Sequence, residues 1–160
     1  VKNTYLPSSK KTSMIEIERK FLVHSMNFIQ QASKNAVIRQ GYLSKDPERT
    51  VRIRITEKEA WITIKGKSND TGTTRLEWEK SISLADGESL MKLCIATPIE
   101  KIRYIIPQKN LNFEVDEFFG HKSGLIIAEI ELPSEATLFE KPDWLGDEVT
   151  GIKEYYNAMM

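Results

Sequence analysis

The chain has 160 residues with 23 Lys and Arg against 23 Asp and Glu, so no global field draws it to nucleic acid or to an anionic membrane. Hydrophobic residues at 40% and charged residues at 29% exclude a disordered composition, and the length suits one domain better than two. One cysteine and two histidines exclude a disulfide framework and a Cys/His zinc set, no apolar stretch approaches the ~20 residues of a spanning helix, and no hydrophobic export segment opens the chain; the cytoplasm is the expected location.

Residues 1–13 are polar, basic and rich in turn formers, and read as an N-terminal tail ahead of a single domain over 14–160. Strict alternation then predicts a strand over 14–23, with Glu16, Glu18 and Lys20 on one face and Ile15, Ile17 and Phe21, interrupted by Arg19, on the other. Ser25 can cap a helix carrying Phe28, Ile29 and Ala32. Strands follow over 38–44, 50–57 and 60–66. In the second, Arg52 and Arg54 oppose Val51, Ile53 and Ile55; in the third, Lys65 opposes Ile62 and Ile64, and Trp61, on the lysine side, reads as a packing residue. The strand at 73–82 aligns Arg75, Glu77 and Glu79. Ser83 can cap a helix carrying Leu90, Leu93 and Cys94, with Pro98 beyond its end. Three more strands close the series: 101–106 with Lys101 and Arg103, 112–118 with Glu114 and Asp116, and 125–132 with Glu129 and Glu131. Residues 134–140 and 152–160 read as further helices. The turn clusters between strands are short, so consecutive strands are expected to be neighbours. His24 and His121 have no companion that would make a metal site or a nucleophile-base pair and read as surface residues, and Cys94 as a small core residue.

Alternation in one strand ordinarily means a solvated face and a packed face. Here one face collects Arg and paired carboxylates from seven strands, whereas a wet face mixes Ser, Thr, Gln and Lys. The arrangement this favours is a β-rich α+β fold: an eight-stranded antiparallel β-barrel whose charged face lines a water-filled lumen and whose aliphatic face is covered by a few helices. Arginines clustered in reduced dielectric call for an anion and clustered carboxylates for metal ions. A ligand satisfying both is a metal-complexed polyphosphate.

The signature Glu16-Ile17-Glu18-Arg19-Lys20, followed in order by Gln40-Gly41-Tyr42-Leu43, Val51-Arg52-Ile53-Arg54, Ile64-Lys65-Gly66, Arg75-Leu76-Glu77-Trp78-Glu79, Lys101-Ile102-Arg103-Tyr104, Glu114-Val115-Asp116-Glu117-Phe118 and the run ending Glu129-Ile130-Glu131-Leu132, resembles the CYTH superfamily of triphosphate tunnel metalloenzymes. The resemblance covers nearly everything from Met14 to Asn157. It implies a triphosphate bound inside the barrel with Mg²⁺ or Mn²⁺ as cofactor. Lys20, Arg52, Arg54, Lys65, Arg75, Lys101 and Arg103 would hold the phosphate oxygens. Glu16, Glu18, Glu77, Asp116, Glu129 and Glu131 form the pool of metal ligands, and Glu16, Glu18 and Lys20 the catalytic set at its centre. Glu79 and Glu114 are either further ligands or buried partners of the arginines.

Several reactions run on that scaffold. Hydrolysis of inorganic tripolyphosphate is the first expectation for a short chain. The alternatives are a class IV adenylate cyclase making cyclic AMP and pyrophosphate from ATP, a thiamine or nucleoside triphosphatase, and a non-catalytic polyphosphate-binding module. The expected partner is a small-molecule triphosphate, with no nucleic acid and no membrane. The outer aliphatic strips would be covered by the protein's own helices or by a second copy in a homodimer. The terminal 153–160 segment can close one end of the barrel.

Overall fold

A computed structural model describes residues 14–160; the expected tail over 1–13 lies outside the described residues. Nine strands form one antiparallel sheet: β1 (Ile15–Val23), β2 (Lys34–Ser44), β3 (Arg49–Ile55), β4 (Ala60–Gly66), β5 (Thr74–Ile82), β6 (Ile95–Gln108), β7 (Leu111–Phe118), β8 (Ile126–Glu131) and β9 (Leu145–Glu148). Their order is β5-β4-β3-β2-β6-β7-β8-β1-β9, and β1 also pairs with β5 through Ile15↔Leu76 to Ile17↔Thr74, which bends the first eight strands into a ring.

Sequential neighbours hold within β2–β5 and β6–β8 and fail elsewhere: β2 lies beside β6, and β1 beside β8 and β5. The connections explain this. Between β1 and β2 runs a 3-10 turn, Met26–Gln31, capped by Ser25; between β5 and β6 runs the helix α1, Leu84–Met91, capped by Ser83 accepting from Asp86 N at 3.0 Å. Each carries the chain across the outside of the ring, where a two-residue hairpin would have returned it to its neighbour. Leu93, expected on the helix's packed side, is exposed because α1 stops at Met91.

Orientation decides everything that follows. Lys101 is 1% exposed, Asp116 2% and Arg103 5%, whereas the alternating positions Leu76 and Val37 are 49% and 66% exposed. Charge points into the ring, and the aliphatic residues point out. Part of that outer surface is covered. Phe21, Phe113 and Trp144 pack with Phe28 of the 3-10 turn, and Trp144 meets Phe113 and Phe28 edge-on at 5.3 and 5.8 Å. On the other side α1 lies over Ile53, Ile55 and Ala60, close enough that a Cβ on Gly87 would stand 2.7 Å from Ala60 Cβ. Cys94 sits half-buried against Gly41 on the same side. Among the described residues no helix is long and apolar enough to cross a membrane.

Four local expectations need correction. Residues 134–140 form no helix: Thr137 closes a turn on Ser134, and the chain continues without regular secondary structure, with Phe139 reaching the rings of Phe21 and Phe113 at 5.9 and 5.8 Å. Strand β6 begins at Ile95, not Lys101, and contains Pro98, because its pairing to β2 jumps from Gln40↔Ile99 to Tyr42↔Ile95 and a proline is tolerated where the ladder is interrupted. The ninth strand is four residues long and too short to show a period, and its Gly146 lets it approach β1, where a Cβ would lie 3.0 Å from Leu22 O. The terminal segment folds as two 3-10 turns, Lys153–Tyr155 and Asn157–Met159, in place of a helix. It does close one end of the ring: Tyr155, Ala158 and Met160 pack on the inward side chains Tyr42, Ile99, Phe118 and Ile127. Two left-handed glycines hold this closure, since Gly72 of the β4–β5 loop and Gly151 approach so nearly that a Cβ on Gly72 would stand 2.4 Å from Gly151 Cα.

Candidate functional site: the charged interior of the ring

Each strand contributes to the interior at every second residue: β1 Glu16, Glu18 and Lys20, β3 Arg52 and Arg54, β4 Thr63 and Lys65, β5 Arg75, Glu77 and Glu79. From the other half come Lys101 and Arg103 of β6, Glu114 and Asp116 of β7, and Glu129 and Glu131 of β8. The register sets mostly opposite charges across each rung. Glu16 faces Arg75, Lys65 faces Glu77, Lys20 faces Glu129 and Arg103 faces Asp116.

The side chains use that register. Lys65 Nζ donates to Glu16 at 3.0 Å and pairs with Glu77 at 2.7 Å, while Arg75 Nε donates to Glu16 at 2.9 Å and its Nη2 to Glu18 at 3.4 Å. Arg54 Nη2 bonds both oxygens of Glu79 at 3.3 Å, and Thr63 Oγ1 donates to Glu79 at 2.6 Å. Asp116 takes a fork from Arg103 Nε and Nη2 and a third bond from Lys101 Nζ, all at 2.6 Å. Glu129 pairs with Lys20 and, at 3.3 Å, with Arg103, which also pairs with Glu114. All the residues read from sequence as substrate or metal contacts therefore line one interior, and Glu79 and Glu114 are partners of arginines there.

The protonation behaviour follows the pairing. Burial resists ionisation of Glu129, Asp116 and Glu79. Lys20 and Arg103 hold Glu129 low nonetheless, Arg103 and Lys101 hold Asp116 low, and Arg54 with the Thr63 hydroxyl holds Glu79 low. Lys20 is raised against burial by Glu129 and Glu18. Lys101 goes the other way: burial, reinforced by Arg103, outweighs Asp116 and pulls its ammonium down to about 8.

Glu18 is the exception among the acids. Burial pushes its carboxyl up, helped by Glu16 and Glu129, and across the ladder it faces another carboxylate, Glu131. Like charges directly opposite are destabilising unless a cation stands with them. Among the described residues no ready-made group of carboxylate, histidine or cysteine ligands is assembled; Glu16, Glu18, Glu77 and Glu129 all pair with lysines or arginines. Among the described residues buried Arg52 Nε, conversely, has no hydrogen-bond partner. The donor set is all carboxylate oxygen, a chemistry that suits a hard divalent cation.

The polar, uncharged residues of the interior were given no site role from sequence. Gln40 is fully buried and donates toward the Tyr42 hydroxyl at 3.5 Å, and Tyr42, whose phenol is pushed up by burial, neighbours Arg52. Thr150 Oγ1 accepts from Lys20 N at 2.9 Å. Parity with the charged ladders was the available signal for Thr63; Gln40 and Tyr42 entered only inside the Gln40-Gly41-Tyr42-Leu43 motif of the resemblance, since their neighbour at the same parity, Ile38, is uncharged. Trp61, read as packing, is buried inside the ring with the Arg54 guanidinium 5.0 Å from its ring centroid. His24 and His121 are exposed.

Over residues 14–158 the chain matches the CYTH domain. It is 43% identical over 144 residues to an inorganic triphosphatase of Acetivibrio thermocellus, spanning 89% of this chain and 90% of that protein. It is 38% identical over 154 residues to an inorganic triphosphatase of Nitrosomonas europaea, spanning 92% of this chain and 97% of that one. The crystal structure of the inorganic triphosphatase NE1496 is similar at a TM-score of 0.63 and 34% identity, over 90% of this chain and 92% of that chain.

Proposed function

The chain belongs to the CYTH domain family, and from that premise and its charged interior we propose that it is a metal-dependent inorganic triphosphatase. Water attacks a terminal phosphorus of tripolyphosphate, the bond to the bridging oxygen breaks, and orthophosphate and pyrophosphate leave. The observation that carries this reading is the gathering of Lys20, Arg52, Arg54, Lys65, Arg75 and Arg103 inside one ring, with buried Arg52 Nε lacking an acceptor among the described residues. Guanidinium forks match phosphate oxygens, and the lysines add point charge. The names of the two curated relatives favour the inorganic substrate over ATP.

Glu16, Glu18, Glu77, Glu129 and Glu131 are the residues that would hold Mg²⁺ or Mn²⁺, and the cation would supply neutralisation of phosphate charge and a more acidic attacking water. Asp116 belongs to the original pool but spends both oxygens on Arg103 and Lys101; its role in this account is to orient those two cations. A triphosphate entering the ring draws the lysines and arginines toward itself and releases the glutamates they held. Incubation with tripolyphosphate or ATP and either metal tests the reading. It predicts orthophosphate and pyrophosphate from tripolyphosphate; cyclic AMP from ATP, or no turnover of either, contradicts it.

Lys101 adds a pH signature. In the free protein its charge is lost as pH rises through about 8, and a bound polyanion favours the charged form. Binding of tripolyphosphate in metal-free buffer at about pH 8.5 therefore takes up protons, and below about pH 6.5 the uptake from this group vanishes. Calorimetry in buffers of different ionisation enthalpy measures it, and Lys101→Met removes it.

A further inference from the structure

At one level of the ring the inward rows change character. Along β1, β6, β7 and β8 the charged positions Lys20, Lys101, Asp116 and Glu129 are followed, at the same parity, by Leu22, Ile99, Phe118 and Ile127. The register puts these at one end, Leu22 opposite Ile127, Ile127 opposite Asp116 and Phe118 opposite Lys101. The interior thus ends in an apolar shelf one step from the cations. Bare phosphate has no use for such a shelf; an organic group attached to a triphosphate does.

The protein fills the shelf itself. Tyr155, Ala158 and Met160 lie on Tyr42, Ile99, Phe118 and Ile127, leaving Phe118 1% and Ile127 2% exposed. Tyr156 stands with its ring centroid 6.0 Å from Lys20 Nζ, and the segment is anchored by the Gly72–Gly151 contact. On its outer side the segment is not sealed in: Met160 borders a cavity of about 280 Å³ with Ala96, Thr97 and His121. The cover is therefore a short, partly buried segment of 3-10 turns without strand pairing to the sheet, displaceable without unzipping a ladder.

We propose that the terminal segment, residues 155–160, is a specificity determinant: by occupying the apolar shelf it denies the organic moiety of nucleoside and other organic triphosphates an apolar seat beside the phosphate-binding cations, and reserves the ring for the inorganic chain. The inference rests on the triphosphatase reading and deepens it. It acts by exclusion, as discrimination against an unwanted ligand often does. A segment that merely stabilised the fold would lower turnover of all substrates alike and leave their ratio unchanged.

The test compares the wild type with a chain ending at Ile152 and with the full-length Ala158→Asp/Met160→Asp protein, in which carboxylates cannot rest on the shelf. For each, kcat/KM is measured with tripolyphosphate and with ATP. The expected result is a rise of about tenfold or more in the ATP to tripolyphosphate ratio, the scale set by the contacts an apolar group makes in a pocket. An unchanged ratio in whichever variant keeps the wild-type far-UV spectrum overturns the proposal. A wild type inert toward tripolyphosphate would instead overturn the functional reading beneath it, so the two failures are distinguishable.

Discussion

Replacing Glu18 or Glu131 by glutamine lowers tripolyphosphate turnover in Mg²⁺ about 10²- to 10³-fold, a loss equivalent to the several kcal/mol that a positioned cation supplies to phosphoryl transfer. The two carboxylates face each other across β1 and β8, and burial together with Glu16 and Glu129 already disfavours the ionised form of Glu18. Arg75 at 3.4 Å and Lys20 at 3.9 Å already offset part of the Glu18 charge, and a divalent cation would neutralise the pair further. Glutamine keeps shape and hydrogen bonding and removes the charge. The same substitution takes a repulsive group out of the anion site, so tripolyphosphate binding in metal-free buffer holds or tightens. Loss of turnover with intact metal-free binding separates this account from simple unfolding. Near-normal turnover in both variants would sink the ligand assignment.

The second large effect is on stability. Asp116→Ala costs about 3–5 kcal/mol, because it leaves Lys101 and Arg103 inside the ring without the carboxylate that takes three of their hydrogen bonds. Lys101 and Asp116 are 1% and 2% exposed, so solvent cannot replace the lost partner. At roughly 2–4 °C per kcal/mol for a chain of this size, the melting temperature falls by about 10 °C. Adding Lys101→Met to Asp116→Ala restores part of it, since the buried ammonium is then gone as well. A shift under about 2 °C for the single variant would mean that Arg103 is satisfied by Glu114 and Glu129 alone.

Much of the site was legible because charge at every second position is hard to explain on a solvated sheet. Lys101, Arg103, Glu129 and Asp116 were placed on one face by parity, and parity is what a strand's geometry enforces. Pairing partners were not legible. Alternation in β1 is silent on whether Glu18 will face a lysine or Glu131, and strand order depends on where the 3-10 turn Met26–Gln31 and α1 carry the chain. Strand β9 was invisible at four residues, held by Gly146 against Leu22 and by the Arg19 side chain on Glu148. The apolar shelf was hidden for a different reason. Ile99, Phe118 and Ile127 have the parity of the charged ladder, which turns them inward, but the chemistry of a core, which gives no sign that they border a site.

Metal complexation lowers the charge of a triphosphate and by itself weakens its attraction to lysines and arginines, so any gain in affinity must come from the carboxylates that those cations release. Calorimetric titration of imidotriphosphate, which resists hydrolysis, compares the two conditions directly, with saturating Mg²⁺ or with EDTA. The account predicts about tenfold or more tighter binding with Mg²⁺ in the wild type and no such gain in Glu18→Gln. Equal affinity in both buffers, or a gain that survives Glu18→Gln, would contradict it.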